Sequence, residues 1–195
     1  LARRSAQTAM YQISEALVRW IAPILSFTAE EIWENLPGER GPSVMLEQWY
    51  GGLESLSPGD AMGRSFWQRM MAVRTVVNKA MEVQRAAGTL RGSLDATVTL
   101  YCADELREML LALGDELRFV LITSAATVLP LSAAGADAVT TELPELQLQI
   151  APSTDEKCER CWHRSPTIGG STAHPTLCER CVENVDGDGE RRRFA

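Results

Sequence analysis

Four of the five cysteines in this 195-residue chain fall into two C-x-x-C pairs, Cys158-Glu159-Arg160-Cys161 and Cys178-Glu179-Arg180-Cys181, with sixteen residues between them. Each pair brings two sulfurs to one tight turn. A connection of this length can fold back as a hairpin, so that four thiolates surround one zinc ion tetrahedrally. The same residues could form two disulfides or a redox pair. No secretory signal favours the first, and a redox motif needs only one pair, near a βαβ unit. Four protein ligands leave no open coordination position, so the expected ion stabilises and orients rather than catalyses. A segment of about 35 residues cannot build an adequate core, and metal binding in such modules supplies on the order of 10–16 kcal/mol. Residues 155–185 are therefore expected to fold only with zinc. His163 and His174 are read as solvated or locally hydrogen-bonded rather than as ligands, and Cys102 as a buried, inert thiol.

Arg160, Trp162 and Arg164 place an aromatic plane and two guanidinium groups beside the expected ion. That set suits an unstacked RNA base and its phosphate. The same tryptophan could instead cover the zinc turn and pack on a neighbouring layer. Arg191-Arg192-Arg193 reads as a phosphate contact or a solvated tail. Phosphate-cradling glycine loops, nucleophile elbows and metalloprotease His pairs are missing, and no active site is expected.

The elements that would carry these residues can be read from spacing. Met10, Ile13, Leu17, Trp20, Ile21 and Ile24 form the stripe of an amphipathic helix that Pro23 should end or kink. Thr28 and Glu31 are spaced as a capping box for a second helix, with Phe27 and Ile32 placed as a hydrophobic staple and Ile32, Trp33 and Leu36 directed inward. Pro37-Gly38 should stop it. Residues 38–60, including the short apolar stretch Val44 to Trp49, read as a crossing loop. A long helix then carries Met62, Phe66, Met70, Val73, Val77, Ala80, Met81 and Gln84 and ends near Gly88. Between Asp60 and Asp95 six basic residues face three acids, the most basic stretch of a chain whose net charge is −7. Arg74, Lys79 and Arg85 of that stretch are candidate phosphate contacts. Residues 94–101 alternate as a half-buried strand, short helices are expected at 104–113 and 115–122, and strands at 126–129 and 146–150.

The expected fold is α+β and predominantly helical, in three parts: residues 1–59 in a helical bundle, 60–152 as the long helix with a small α/β layer, and 153–195 as a four-cysteine zinc ribbon or finger with a basic tail. A hydrophobic fraction of 45% suffices for a real core. No apolar run approaches the roughly 20 residues that span a bilayer. The acidic balance argues against indiscriminate nucleic-acid binding but leaves room for a local basic surface. The chain starts at Leu1 with a helical pattern already under way, and reads as a piece of a longer protein.

Three segments resemble the C-terminal region of bacterial-type isoleucyl-tRNA synthetases, a family of class I aminoacyl-tRNA synthetases. The run from Ala16 to Trp33 is similar to the anticodon-binding helical bundle shared by the enzymes for isoleucine, valine, leucine and methionine. The stretch Val73 to Leu100, with Gly92-Ser-Leu-Asp-Ala, and the run Leu113 to Leu121 are more specific to the isoleucine enzyme. The most specific is Lys157-Cys-Glu-Arg-Cys-Trp-His163 through Cys178-Glu-Arg-Cys181 to Gly187-Asp-Gly-Glu-Arg-Arg-Arg-Phe-Ala195. The resemblance implies a cytoplasmic, monomeric enzyme that uses ATP to charge isoleucine-accepting tRNA, with the ATP-using catalytic domain and the editing domain absent from these residues. It implies zinc ligands at Cys158, Cys161, Cys178 and Cys181, an anticodon-side contact at Trp162 with its flanking arginines, and neither membrane nor DNA as partner. The rival is a DNA glycosylase of the formamidopyrimidine type, whose C-terminal zinc finger has similar Cys spacing and binds duplex DNA. Its catalytic and helical regions have no counterpart before residue 158. A stand-alone zinc-ribbon module would leave the first 150 residues unexplained.

Overall fold

Pro23 withdraws a backbone donor just past helix α1 (Ala2–Ile21), and the N–H groups of Ile24 and Leu25 both close on the Ile21 carbonyl, at 2.9 and 2.7 Å. Helix α2 (Ser26–Asn35) follows at once. The computed structural model describes residues 2–57 and 59–194, and the chain divides into two compact units, Leu1–Ser57 and Pro58–Ala195.

In the first unit the expected capping box does not form. The helix starts before Thr28, because the Ala29 N–H already bonds the Leu25 carbonyl at 2.8 Å, and Leu25 occupies the cap with no side-chain hydrogen bond. Phe27 is 93% exposed and makes no staple with Ile32, itself exposed. Of the three residues expected inward, Trp33 is buried and Leu36 packs partly against the core. Of the apolar stripe of α1, Ile21 packs partly against this core. Met10, Ile13, Leu17, Trp20 and Ile24 are all exposed, while Val18 and Ala22 meet Ala29, Trp33 and Val44. Small residues bring α1 and α2 close, and periodicity alone does not say which face finds a partner. Val44 belongs to a single 3-10 turn, Val44–Leu46, in an otherwise irregular segment.

A charged cluster braces the same unit. Glu15, 4% exposed, accepts from Arg19 at 2.7 Å and from Arg40, and both guanidinium groups lie over the Trp33 ring, at 4.7 and 4.5 Å. The Trp33 indole N–H donates to the Gly41 carbonyl at 3.0 Å. Burial alone would push the Glu15 carboxyl up, but hydrogen bonds from Arg40, Arg19 and Tyr11 outweigh it and hold its pKa at about 2.

The second unit begins with helix α3 (Arg64–Ala86), which buries Met70, Val73, Val76, Val77 and Met81 along one face. Gly88, at φ +74°, lets the chain turn back so that the Thr89 N–H reaches the Gln84 carbonyl at 2.9 Å. After a 3-10 turn at Ser93–Asp95 come β1 (Ala96–Cys102), α4 (Asp104–Leu111), a 3-10 turn at Gly114–Glu116, α5 (Leu117–Leu121), β2 (Ala125–Pro130), β3 (Val139–Thr140), β4 (Leu146–Pro152) and, late in the chain, α6 (Glu179–Asp186). The sheet is mixed, in the order β2-β1-β4-β3. β2 runs parallel to β1, from Thr97 opposite Ala125, and β4 runs antiparallel to it, from Ala96 opposite Pro152. The parallel pair needs a crossover, which α4 and α5 supply. Val98, Leu100 and Cys102 on one face of β1 join Leu106, Leu110, Leu117, Leu121 and the buried face of α3 in one core. Two-residue β3 and helix α6 were not expected. Among the described residues no helix is long and apolar enough to cross a membrane.

Candidate functional site

The first cysteine pair sits on a tight hairpin. The Cys158 N–H donates to the His163 carbonyl and the Trp162 N–H to the Cys158 carbonyl, both at 2.9 Å, and Lys157 and Arg164 pair across its base. The second pair is built differently. Cys178 caps α6, the N–H groups of Cys181 and Val182 return to its carbonyl at 2.8 and 3.0 Å, and Cys181 lies in the first helical turn. A hairpin turn thus faces a helix N-terminus, and the Glu159 N–H to the Thr176 carbonyl, 3.3 Å, ties the two.

The four sulfurs lie within 4.8 Å of one another, and Cys161 Sγ and Cys178 Sγ are 3.7 Å apart. A tetrahedron of zinc–sulfur bonds of about 2.3 Å has edges of about 3.8 Å, so the donor set fits such an ion. Cys158, Cys178 and Cys181 are buried and Cys161 is half-buried. Burial opposes ionisation of Cys158, yet amides of Cys161, Cys178 and Arg160 aimed at its sulfur pull the thiol down to about 6; burial pushes Cys178 the other way. The Arg160 guanidinium is 3.6 Å from Cys181 Sγ.

Neither histidine joins the sulfurs. His163 Nδ1 lies 3.2 Å from the Cys161 carbonyl oxygen, its ring meets Phe119 edge-on at 5.7 Å, and burial keeps its pKa below the ordinary imidazole value. His174 Nε2 is 2.5 Å from Asp186 Oδ2. Cys102 is fully buried in the sheet, and burial raises its thiol to about 11.

Trp162 and Arg160 are exposed beside the cluster, with Lys157 Nζ 5.2 Å from the Trp162 ring centroid. Trp162 holds a φ of +66°, a region that side chains other than glycine occupy at a cost of about 1–3 kcal/mol. Arg164 is used internally: its Nε donates to Asp95 and its Nη1 to the Asp155 carbonyl, at 2.7 and 2.9 Å. Arg74, Lys79 and Arg85 belong to α3. Lys79 pairs with Glu142, Arg85 with Glu82 at 2.5 Å, and Arg74 has a buried Nε with no partner.

Phe119 is the anchor that sequence reasoning missed. Guanidinium groups of Arg118, Arg180 and Arg192 lie 4.6, 5.2 and 4.1 Å from its ring, and Glu190 binds Arg180 and Arg192 at 3.0 and 2.9 Å. The N–H groups of Arg193 and Phe194 donate to Glu116 at 2.5 and 2.6 Å. These contacts lay the final residues along a cleft of about 580 Å³. A lone Phe in an apolar run carries no signal for such a role.

Residues 155–184 match a family described as a zinc finger found in FPG and IleRS. Over its whole length the chain is 56% identical to isoleucine–tRNA ligase of Pseudomonas aeruginosa (strain UCBPP-PA14) and of Azotobacter vinelandii, and 55% identical to that of Marinomonas sp. (strain MWYL1). It spans 21% of the length of each of these relatives. Residues 1–100 match the family described as the anticodon-binding domain of tRNA ligase, and the chain belongs to that family.

Proposed function

We propose that this chain is the tRNA-docking C-terminal portion of an isoleucine–tRNA ligase and that it holds the anticodon stem-loop while a catalytic domain beyond these residues attaches isoleucine with ATP. The observation that carries the reading is one chain joining an anticodon-binding match over residues 1–100 to a four-sulfur cluster within 4.8 Å. Cys158, Cys161, Cys178 and Cys181 hold one zinc ion, which when bound clamps a hairpin to a helix and leaves no site for chemistry. Residues 153–195 then act as a metal-dependent module beside the sheet layer of 60–152, with 1–59 as the bundle portion. Trp162 offers an indole face to an unstacked base, and Arg160 beside it a cation for the adjoining phosphate. Arg164 supports this surface from beneath. On α3, Lys79 and Arg85 exchange exposed carboxylate partners for RNA phosphates, and Arg74 adds a third cation. The protein works as a cytoplasmic monomer, without DNA or a membrane. A glycosylase reading is not favoured, because the whole-length relatives are ligases and the match that names FPG is confined to residues 155–184.

The test is filter binding of isoleucine-, valine- and methionine-accepting tRNAs, with metal measured on the same sample. Tightest binding of the isoleucine-accepting tRNA and one zinc per chain are expected. Equal retention of duplex DNA, or protein free of metal, overturns the reading.

A further inference from the structure

The duplicated Cys-Glu-Arg-Cys sequence puts an arginine between the cysteines of each pair, and the fold sends each arginine to the opposite pair. Arg160, from the hairpin, brings Nη1 to 3.6 Å from Cys181 Sγ on α6. Arg180, from α6, has the Cys161 sulfur of the hairpin as a hydrogen-bond partner. That contact, together with Glu190, outweighs the burial that works against the charge of Arg180.

The four sulfurs divide their donors by position. The first cysteine of each pair is served by main chain: the Cys178 N–H lies 3.4 Å from Cys158 Sγ, and the Cys181 amide is aimed at Cys178. The second cysteine of each pair receives a guanidinium from across the cluster. An amide brings a dipole, whereas an arginine brings a whole charge. Four thiolates around one zinc ion leave two negative charges unbalanced, at a place where Cys158, Cys178 and Cys181 are buried. Buried charge is costly unless it is paired. Two crossed guanidinium groups supply the two missing positive charges.

The two arginines are held differently. Arg180 is fixed: its Nη1 sits 3.0 and 3.2 Å from the Glu190 carboxylate oxygens, and its guanidinium lies 5.2 Å from the Phe119 ring. Glu190 also binds Arg192 at 2.9 Å, so this group of two cations and one anion stays positive beside the sulfurs. Arg160 is exposed, and a guanidinium with five N–H donors can hold a sulfur and still offer donors to solvent. We propose that Arg160 and Arg180 are positioning residues of the metal centre, each neutralising and orienting a thiolate of the opposite pair, so that they set how firmly the ion is held. This goes beyond the assignment of four ligands and rests on the zinc reading above.

The test is competition for zinc between the full chain and a chromogenic chelator, read together with the absorption spectrum of the cobalt(II)-substituted protein. Arg160→Gln and Arg180→Gln should each weaken zinc retention by roughly 10- to 100-fold. Their sulfur-to-cobalt charge-transfer band should move to longer wavelength, because a thiolate that loses its N–H partner gives up an electron more readily; loosened packing alone would not move it. Lys157→Gln removes a cation that lies over Trp162 rather than on a sulfur, and should leave both readouts in place. Arg160→Lys and Arg180→Lys keep the charge but lose the planar fork, and should fall between the native chain and the Gln variants. If a Gln variant takes up no metal, its Lys counterpart carries the same test. Native retention or an unmoved band in either arginine variant, or an equal loss in Lys157→Gln, overturns the proposal, and one zinc per native chain then leaves the zinc reading standing. A native chain that binds no metal overturns both.

Discussion

Arg164 Nε lies 2.7 Å from Asp95 Oδ1, so the residue just after the first cysteine hairpin is locked to the turn that leads into β1. The Ser153 N–H reaches the Asp95 carbonyl at 2.7 Å and the Arg164 N–H reaches Ser124 Oγ at 2.7 Å, which makes this the seam between module and sheet.

Breaking that seam should loosen the module without dispersing the sheet core. Arg164→Ala is expected to destabilise the second unit by about 1–2 kcal/mol, a modest figure because both side chains keep roughly a quarter of their surface in water. Asp95→Asn should cost about as much, and the double variant less than the sum of the two. Urea titrations in a double-mutant cycle check this, and strict additivity contradicts it.

Acid should strike the first unit through Glu15. Its folded pKa of about 2 lies below the ordinary carboxyl value of 4.5, so the stability it contributes is complete above about pH 4.5 and disappears as pH falls towards 2. The depression corresponds to something on the order of 3 kcal/mol at neutral pH. Glu15→Gln should remove that contribution at pH 7 and flatten the acid limb of a pH–stability curve followed by circular dichroism. A curve of unchanged shape would show that the arginines find other partners.

Metal removal should act on one part of the chain. Chelation is expected to collapse the amide dispersion of residues 155–185 while the β1 and β4 amides keep their positions. Under the same conditions a thiol reagent should label four cysteines quickly and spare Cys102, which is fully buried with a thiol pKa raised to about 11. Five fast thiols would mean that the sheet unfolds along with the module.

Trp162→Ala separates recognition from packing. The ring is 61% exposed and carries the Lys157 ammonium over its face, so its loss should weaken binding of the anticodon stem-loop by about 1–3 kcal/mol with little change in melting temperature. A melting loss with unaltered RNA affinity would assign the ring to covering the turn.

The parts of this structure that announced themselves in the sequence have a strict chemical or periodic cause. Two C-x-x-C pairs allow few arrangements of four sulfurs, and the cluster is compact. The alternation of Ala96, Val98 and Leu100 marks the buried face of β1, and Gly88 ends α3 because the backbone there needs a positive φ. What stayed hidden depends on long-range partners. The stripe Met10, Ile13, Leu17 was visible, but its exposure was not, since α1 meets α2 through Val18 and Ala22. Thr28 and Glu31 had the spacing of a cap, and the tight turn after Pro23 started the helix before them. Helix α6 holds little besides Cys181 to bury, so no apolar period declared it. Phe119 and Arg19 became focal points only through residues far along the chain or in an irregular segment.

The positive φ at Trp162 sets two selections against each other. Glycine there would relax the backbone and harden the protein against heat, yet would erase the exposed ring. A library sorted for thermotolerance should therefore drift to glycine at position 162, and one sorted for RNA capture should bring tryptophan back.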